Sequence, residues 1–204
     1  MLKIAFNQNY IYPLEENHRF PMIKYELIPE QLIRENTCVN DNFFNPGKID
    51  KKLVLLTHQE EYFDRFKSLK LSKKEIREIG FPLSKELVER EMEIAQGTVM
   101  GVNYSLKNGI SMNIAGGTHH AFFDRGEAFC MLNDQSIAAN YLLKEKLVKK
   151  IMIIDLDVHQ GNGTASIFKR NNNVFTLSFH GKKNYPFRKE ISDLDIEFED
   201  NTND

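Results

Sequence analysis

The chain has few cysteines, no long apolar run and no excess of charge of either sign. Its two cysteines, Cys38 and Cys130, lie far apart and fit no CxxC or zinc-finger spacing, which favours unpaired thiols in a reducing compartment, the cytoplasm by default. No run approaches the ~20 apolar residues of a membrane span, and the N-terminal segment lacks the apolar stretch of a signal peptide. With 27 basic and 29 acidic residues, the composition gives no electrostatic reason to expect nucleic-acid binding.

The 204 residues, 41% of them hydrophobic, suit one globular domain over residues 1–204. Apolar strands alternating with helices predict an α/β fold with a parallel sheet between helix layers. The acidic bias between residues 190 and 204 is interpreted as a solvated end. We expect strands at residues 2–6, 52–57, 111–115, 151–157 and 174–179, and helices at residues 21–35, 60–69, 72–79, 84–108 and 134–149.

The run from Ile151 to Thr164 is the most informative segment, because four apolar residues lead into two acids and a histidine. In a strand, side chains at i, i+2 and i+4 point the same way, so Asp155, Asp157 and His159 would share one side at the strand's end. A metal site is therefore plausible there. In the competing interpretation Asp155 caps the next helix and His159 is an ordinary surface histidine.

A second polar cluster, Ala115 to Ala121, also follows a predicted strand and contains His119 and His120. Adjacent histidines suit proton transfer near neutral pH, although metal ligation or an ordinary turn are alternatives for them. Cys130 follows shortly afterwards and is interpreted as a packing residue, because the sequence shows no feature that lowers the pKa of its thiol.

Taken together, three segments closely resemble the histone deacetylase superfamily, in particular its class IV-like bacterial members. They are GGTHHAFFDRGEAFCMLND, IIDLDVHQGNGTASIF and VFTLSFHGKKNYPFRKEISDLD, and the resemblance extends back to His18-Arg19-Phe20-Pro21-Met22. It implies the arginase-deacetylase fold, a three-layer parallel sheet between helices with zinc at the foot of a narrow channel. The implied reaction is zinc-dependent hydrolysis of acetyl-lysine-type amides, on acetylated lysine in protein or an acetylated small amine.

The resemblance also implies roles for individual residues. Asp157 and His159 resemble two zinc ligands, and His119 and His120 resemble the proton-transfer pair, with His120 as general base and acid. Asp155 would orient His119 and help to hold a structural potassium ion together with Ser178, while Asn162 would pair with His120. The remaining assignments are the substrate channel, lined by Phe129 and by Phe179 or a residue near it, and the acetate cavity, lined by Arg19 and Cys130.

The resemblance further implies a second aspartate ligand and a glycine-tyrosine loop beyond residue 204, so the chain is expected to lack the C-terminal part of the family domain. Three hypotheses follow: a deacetylase completed by a C-terminal portion or a complementing chain, an inactive binding module, and a site completed within this chain. The acids considered for the third hypothesis are Asp124, Asp134, Asp193 and Asp195.

Overall fold

The computed structural model describes residues 1–203 and has parallel strands alternating with helices, so the predicted α/β class is confirmed. None of the helices in this range is long and apolar enough to cross a membrane. In chain order, the elements are β1 (Lys3–Ala5), α1 (Lys24–Arg34), β2 (Phe43–Phe44), α2 (Lys51–Val54), α3 (Glu60–Lys67), α4 (Lys73–Ile79), α5 (Lys85–Asn108), β3 (Ser111–Asn113), α6 (Asp134–Lys144), β4 (Ile151–Asp155), α7 (Asn162–Phe168), β5 (Val174–Gly181) and β6 (Leu194–Phe198).

The strands form two parallel sheets of three strands each, in the orders β2-β1-β3 and β4-β5-β6. Asp155 at the end of β4 is in register with Ser178 on β5, and Ser178 is in register with Asp195 on β6. Because all pairings are parallel, the strands of each sheet end at the same edge. Polar residues that follow these strands are therefore brought together.

The longest helix, α5, organises the larger core. Its N-terminus is capped by Ser84, whose Oγ accepts the Leu87 N–H, and Gly109 follows its last residue. Leu87, Val99 and other buried side chains join the main hydrophobic cluster, and the helix packs against β1, β3 and α6. The periodicity of the sequence predicts this helix correctly.

One local prediction was wrong, and two strands were not predicted. Residues 52–57 form no strand, because Asp50 caps a helix there by accepting the Lys52 N–H and the chain turns through α2. A run of four apolar residues fits a short helix as well as a strand. The structure also contains two strands that the sequence analysis missed: β2, and β6 within the acidic segment.

The β4-β5-β6 sheet has one covered face and one exposed face. The covered face packs Ile153 and Val174 against Ala139 of α6 and Phe168 of α7. The opposite face, which we call the outer face, consists only of apolar side chains, several of them 40% exposed or more. Its residues are Met152, Ile154, Phe175, Leu177, Phe179, Leu194, Ile196 and Phe198.

The start of α7 lies directly against the backbone of the segment that follows β3. The Thr164 N–H donates to the carbonyl of His119 at 3.1 Å. A Cβ on Gly163 would lie 2.3 Å from the carbonyl oxygen of Ala121, well inside van der Waals contact. Only glycine at position 163 allows this approach, so the two segments are joined backbone to backbone.

We expect Gly163→Ala to lower the free energy of unfolding by about 1–3 kcal/mol, because the added methyl group meets a backbone atom that cannot move independently. Chemical denaturation monitored by circular dichroism measures this change. The control is Gly181→Ala, whose Cβ would lie 3.2 Å from the exposed side chain of Asn184 and at an ordinary contact distance of 3.6 Å from the carbonyl oxygen of Val158. This change should cost less than about 0.5 kcal/mol. Equal costs for the two variants would contradict the close contact at Gly163.

Candidate active site

A buried carboxylate shapes the turn that presents the two adjacent histidines. Asp134, at the start of α6, accepts hydrogen bonds from the Gly117 N–H at 3.1 Å and the Thr118 N–H at 2.8 Å. It also accepts from the hydroxyls of Thr118 at 2.7 Å and Thr98 at 2.5 Å. A buried carboxylate is costly unless its oxygens are paired in this way. The bonds hold the segment before His119 close to α6.

His119 and His120 lie side by side, with ring centroids 4.0 Å apart, and each is oriented by a different partner. His119 Nδ1–H donates to Asp155 Oδ2 at 2.5 Å, and His120 Nδ1–H donates to Asn162 Oδ1 at 2.7 Å. The acceptor oxygens fix the tautomers, because a carboxylate and an amide oxygen can only accept. The Nε2 atoms are therefore the nitrogens left to act on a ligand.

Gly161 allows the strand end to approach the first histidine. A Cβ at this position would lie 2.3 Å from Asp155 Oδ2 and 3.5 Å from His119 Nδ1. The glycine-rich turn after His159 therefore leaves the space that the carboxylate and imidazole occupy.

Burial sets the charge of the second histidine. Burial, and after it the neighbouring His119, lower the pKa of His120 to about 3, although the bond to Asn162 acts to raise it. His120 is therefore neutral at pH 7 and able to accept a proton. Burial tends to raise the pKa of Asp157, but the His159 N–H and the nearby imidazoles outweigh it, so the net pKa is below its usual range and the side chain is ionised.

Asp157 and His159 place two metal-type donor atoms together beside this pair. His159 Nδ1 lies 2.8 Å from Asp157 Oδ1, and the His159 backbone N–H donates to the same oxygen at 2.7 Å. An ionised carboxylate and an imidazole are both zinc ligands, so the pair fits part of a zinc site, whereas a catalytic site ordinarily has three protein ligands. Within residues 1–203 no group of three or more His, Cys, Asp or Glu side chains is arranged to hold a metal ion.

A cavity of about 590 Å³ is lined by the two histidines together with Asp157 and His159. Phe129 and Tyr185 lie along its wall, and the Arg19 guanidinium stacks 4.7 Å from the centre of the Phe129 ring. Cys130 is buried, and burial raises the pKa of its thiol. The residues that line the cavity, apart from backbone segments, include Arg19, Lys24, Tyr25, Arg90, His119, His120, Phe129, Cys130, Asp157, His159 and Tyr185.

Phe179 does not face the histidines, and Tyr185 stands in the position expected for it. Phe179 points to the outer face of β5, where its ring stacks on Phe198 at 6.2 Å, because side chains alternate along a strand. The Tyr185 ring packs edge-on against His120 at 5.0 Å, and its hydroxyl donates to Glu127 at 3.0 Å. Burial and the Glu127 carboxylate raise the pKa of Tyr185. The aromatic residue before Pro186 was the signal that could have identified it.

Ser178 lies on β5 beside the strand end, and its Oγ is 3.0 Å from His180 Nδ1.

The four acids considered for completing the metal site within this chain bind other groups. Asp134 holds the Gly117 turn, Asp124 pairs with Arg125 on an exposed turn, and Asp193 accepts from Thr176. Asp195 accepts from the Gln160 amide and the Ser192 N–H. None of the four joins Asp157 and His159 in a metal-binding group within residues 1–203.

The chain is similar to several known proteins. It is 38% identical over 193 residues to an uncharacterized protein of Picosynechococcus, with 95% of this chain and 64% of that protein covered. It is 27% identical to histone deacetylase 2 of Arabidopsis thaliana, covering 85% of this chain and 46% of the relative. The chain therefore spans about half to two thirds of the length of these relatives.

The fold is that of solved deacetylase homologues. A crystal structure of an HDAC homolog from Aquifex aeolicus superposes with a TM-score of 0.79 at 23% identity, covering 96% of this chain and 58% of that one. Residues 14–203 match the histone deacetylase domain. Because this match extends over nearly the whole sequence, the chain belongs to the histone deacetylase family.

Proposed function

We propose that the chain forms the proton-transfer side and two metal ligands of a zinc-dependent deacetylase that hydrolyses acetyl-lysine-type amides. The observation that supports this most directly is the convergence of two differently paired histidines with Asp157 and His159 on one cavity. A structural histidine pair would not need a neutral base facing a cavity beside an ionised carboxylate.

Zinc would be held by Asp157 and His159, with Asp155 and Ser178 contributing to a structural potassium site beside them. A bound zinc ion supplies a Lewis acid for the acyl carbonyl and lowers the pKa of water. Asp155 would then have two functions, because its Oδ2 already accepts from His119 and its Oδ1 accepts the Asp157 N–H at 3.1 Å.

The proposed proton transfer uses His120 as the base. Its neutral Nε2 takes a proton from the attacking water as the oxygen adds to the acyl carbon. When the carbon–nitrogen bond breaks, the pair returns a proton to the departing amine, leaving a carboxylate and a free amine. His119 assists through its Nδ1–H bond to Asp155, which orients the ring beside His120.

The cavity suits a substrate with a slim alkyl arm. Phe129 and Tyr185 would contact the arm, while Arg19 and Cys130 would line the acetate cavity. Acetylated lysine in protein and acetylated small amines share this shape, so both belong to the proposed substrate class. The two cysteines are free, which suits a cytoplasmic location.

We also propose that a further polypeptide segment completes the site, as a C-terminal portion of the family domain or a complementing chain. Asp157 and His159 form only two of the three ligands that a catalytic zinc site ordinarily has. In parallel α/β folds both faces of the sheet are covered, whereas the outer face exposes Met152 at 57%, Ile154 at 51% and Phe175 at 40%.

The function is tested with zinc-loaded protein and a fluorogenic acetyl-lysine peptide, alone and mixed with the part of the Picosynechococcus relative that this chain does not match. We expect turnover in the mixture, zinc loss on Asp157→Ala and a roughly 10²- to 10⁴-fold lower rate on His120→Ala. Asp124→Ala, an exposed acid in an ion pair, should change neither quantity. A folded chain without bound zinc or turnover under both conditions would favour an inactive binding module.

We expect Asn162→Asp to raise the pKa of His120 by about 1 to 3, because a carboxylate beside the ring favours the protonated form more than an amide does. His120 is then protonated up to a higher pH, so the acidic limb of the pH–rate profile moves to higher pH. Histidine NMR titration measures the same change in an inactive chain. The control is Asn172→Asp, the same exchange on an exposed turn, and an unchanged pKa in Asn162→Asp would contradict the pairing.

Glutamate on the outer face should weaken association with the polypeptide segment that we propose completes the site. We expect Ile154→Glu and Phe175→Glu to reduce binding of the unmatched part of the Picosynechococcus relative, measured by isothermal titration calorimetry, since each would place a charge in an apolar contact. Phe187→Glu is the matched control, because Phe187 is 92% exposed but lies off this face. Equal losses in all three variants would argue against the outer face as the contact.

A further inference from the structure

His58 is a buried histidine that the proposed mechanism does not use. It lies just after α2, is 1% exposed, and is absent from the lining of the cavity that contains His119 and His120. Its Nε2 accepts the backbone N–H of Asn133 at 2.9 Å. Its Nδ1 is buried and has no hydrogen-bond partner within residues 1–203. The neighbouring Gln59 N–H donates to the carbonyl of Phe123 at 2.8 Å.

Asn133, which receives this contact, connects three parts of the site. Its Oδ1 accepts the Ser136 N–H at 3.0 Å and so caps α6. Its Nδ2 group donates to the carbonyl of Ala121 at 3.1 Å and to Thr164 Oγ1 at 3.0 Å. The side chain is fully buried, and all its polar atoms are paired. A displacement of the Asn133 backbone would therefore disturb all of these bonds.

The bonds of Asn133 continue to the histidine pair. Ala121 follows His120 directly in the sequence, and the Thr164 N–H donates to the carbonyl of His119. Asn162, which accepts from His120 Nδ1, begins the same helix as Thr164. The two hydrogens of the Asn133 Nδ2 group thus hold the backbone after His120 and the helix that orients His120 at a fixed separation.

We propose that His58 is a positioning residue for the His119–His120 pair and acts through Asn133. An acceptor at the position of Nε2 fixes the Asn133 backbone, which in turn fixes the distance between Ala121 and α7. Burial lowers the pKa of His58 to about 4, so the ring is neutral at pH 7 and Nε2 keeps the lone pair that this contact needs. The inference concerns the geometry of the pair, so its test does not depend on deacetylase activity.

Two substitutions of similar size and length separate an acceptor role from simple filling of space. His58→Gln places an amide oxygen near the position of Nε2, whereas His58→Met fills the space without that acceptor. The control is Phe66→Leu, which forms a cavity at a fully buried position on α3 outside this hydrogen-bond chain. It lowers the stability of the core without removing any bond described above.

The experiment measures solvent exchange of the Nδ1 protons of His119 and His120 by NMR of protein labelled with ¹⁵N-histidine. In His58→Met we expect the His120 Nδ1 proton to exchange about tenfold faster than in the unchanged chain. The local opening that exposes this proton to solvent then has one hydrogen bond fewer to break, which accounts for a factor of about ten. His58→Gln and Phe66→Leu should keep close to the original rate. An exchange rate that is restored by glutamine and unchanged in Phe66→Leu is not expected if His58 only fills space.

Other outcomes overturn the proposal. Equal acceleration in His58→Met and Phe66→Leu would show that His58 contributes only to packing, and an unchanged rate in His58→Met would show that it does not act on the pair. If His58→Met fails to fold, Thr164→Val decides, because it keeps His58 and Asn133 but removes the acceptor at Thr164 Oγ1. Faster His120 exchange in Thr164→Val supports the chain of contacts, and an unchanged rate refutes it.

Discussion

The contact between the first turn of α7 and the backbone of His119 to Ala121 is the constraint on which the site depends. It joins the segment after β3 to the segment after β4, although the two strands belong to different sheets. Gly163 makes the approach possible, and the Thr164 N–H supplies a bond to His119. The donor and acceptor residues of the site come from both segments, so the distances between them depend on this contact.

The protein maintains this contact with the buried side chains of Asp134 and Asn133, whose polar atoms are paired. Asp134 receives hydrogen bonds from the turn before His119, and Asn133 bonds to the turn after His120. Because an unpaired buried amide or carboxylate costs free energy, these groups are stable only in the arrangement that satisfies all of them. A polar network therefore specifies the geometry here, where apolar packing alone would permit several.

The sequence predicted the features that arise from local pattern. The periodicity of α5 and the polar strand end after Ile151 both depend on neighbours in the chain. Residues 52–57 were mispredicted because a short apolar run fits two structures. β6 was missed because the acidic bias of residues 190–204 was interpreted as a solvated end, although Asp195 and Glu197 alternate with apolar residues as in a strand. Tyr185 was not named because its place beside His120 depends on the path of a loop, which no periodicity encodes.

The two histidines differ in their hydrogen-bond partners, and this difference distinguishes the roles of the two rings. His119 donates to a carboxylate that is partly buried. His120 donates to an amide, which offers less stabilisation, and burial adds to the cost of charging it. With ring centroids 4.0 Å apart, two positive charges would repel strongly in this low-dielectric setting. The cost of charging both rings at once adds to the burial that already disfavours a charge on His120. The consequence is that His120 remains the neutral ring beside Asp157 and His159, which is the state that accepting a proton requires.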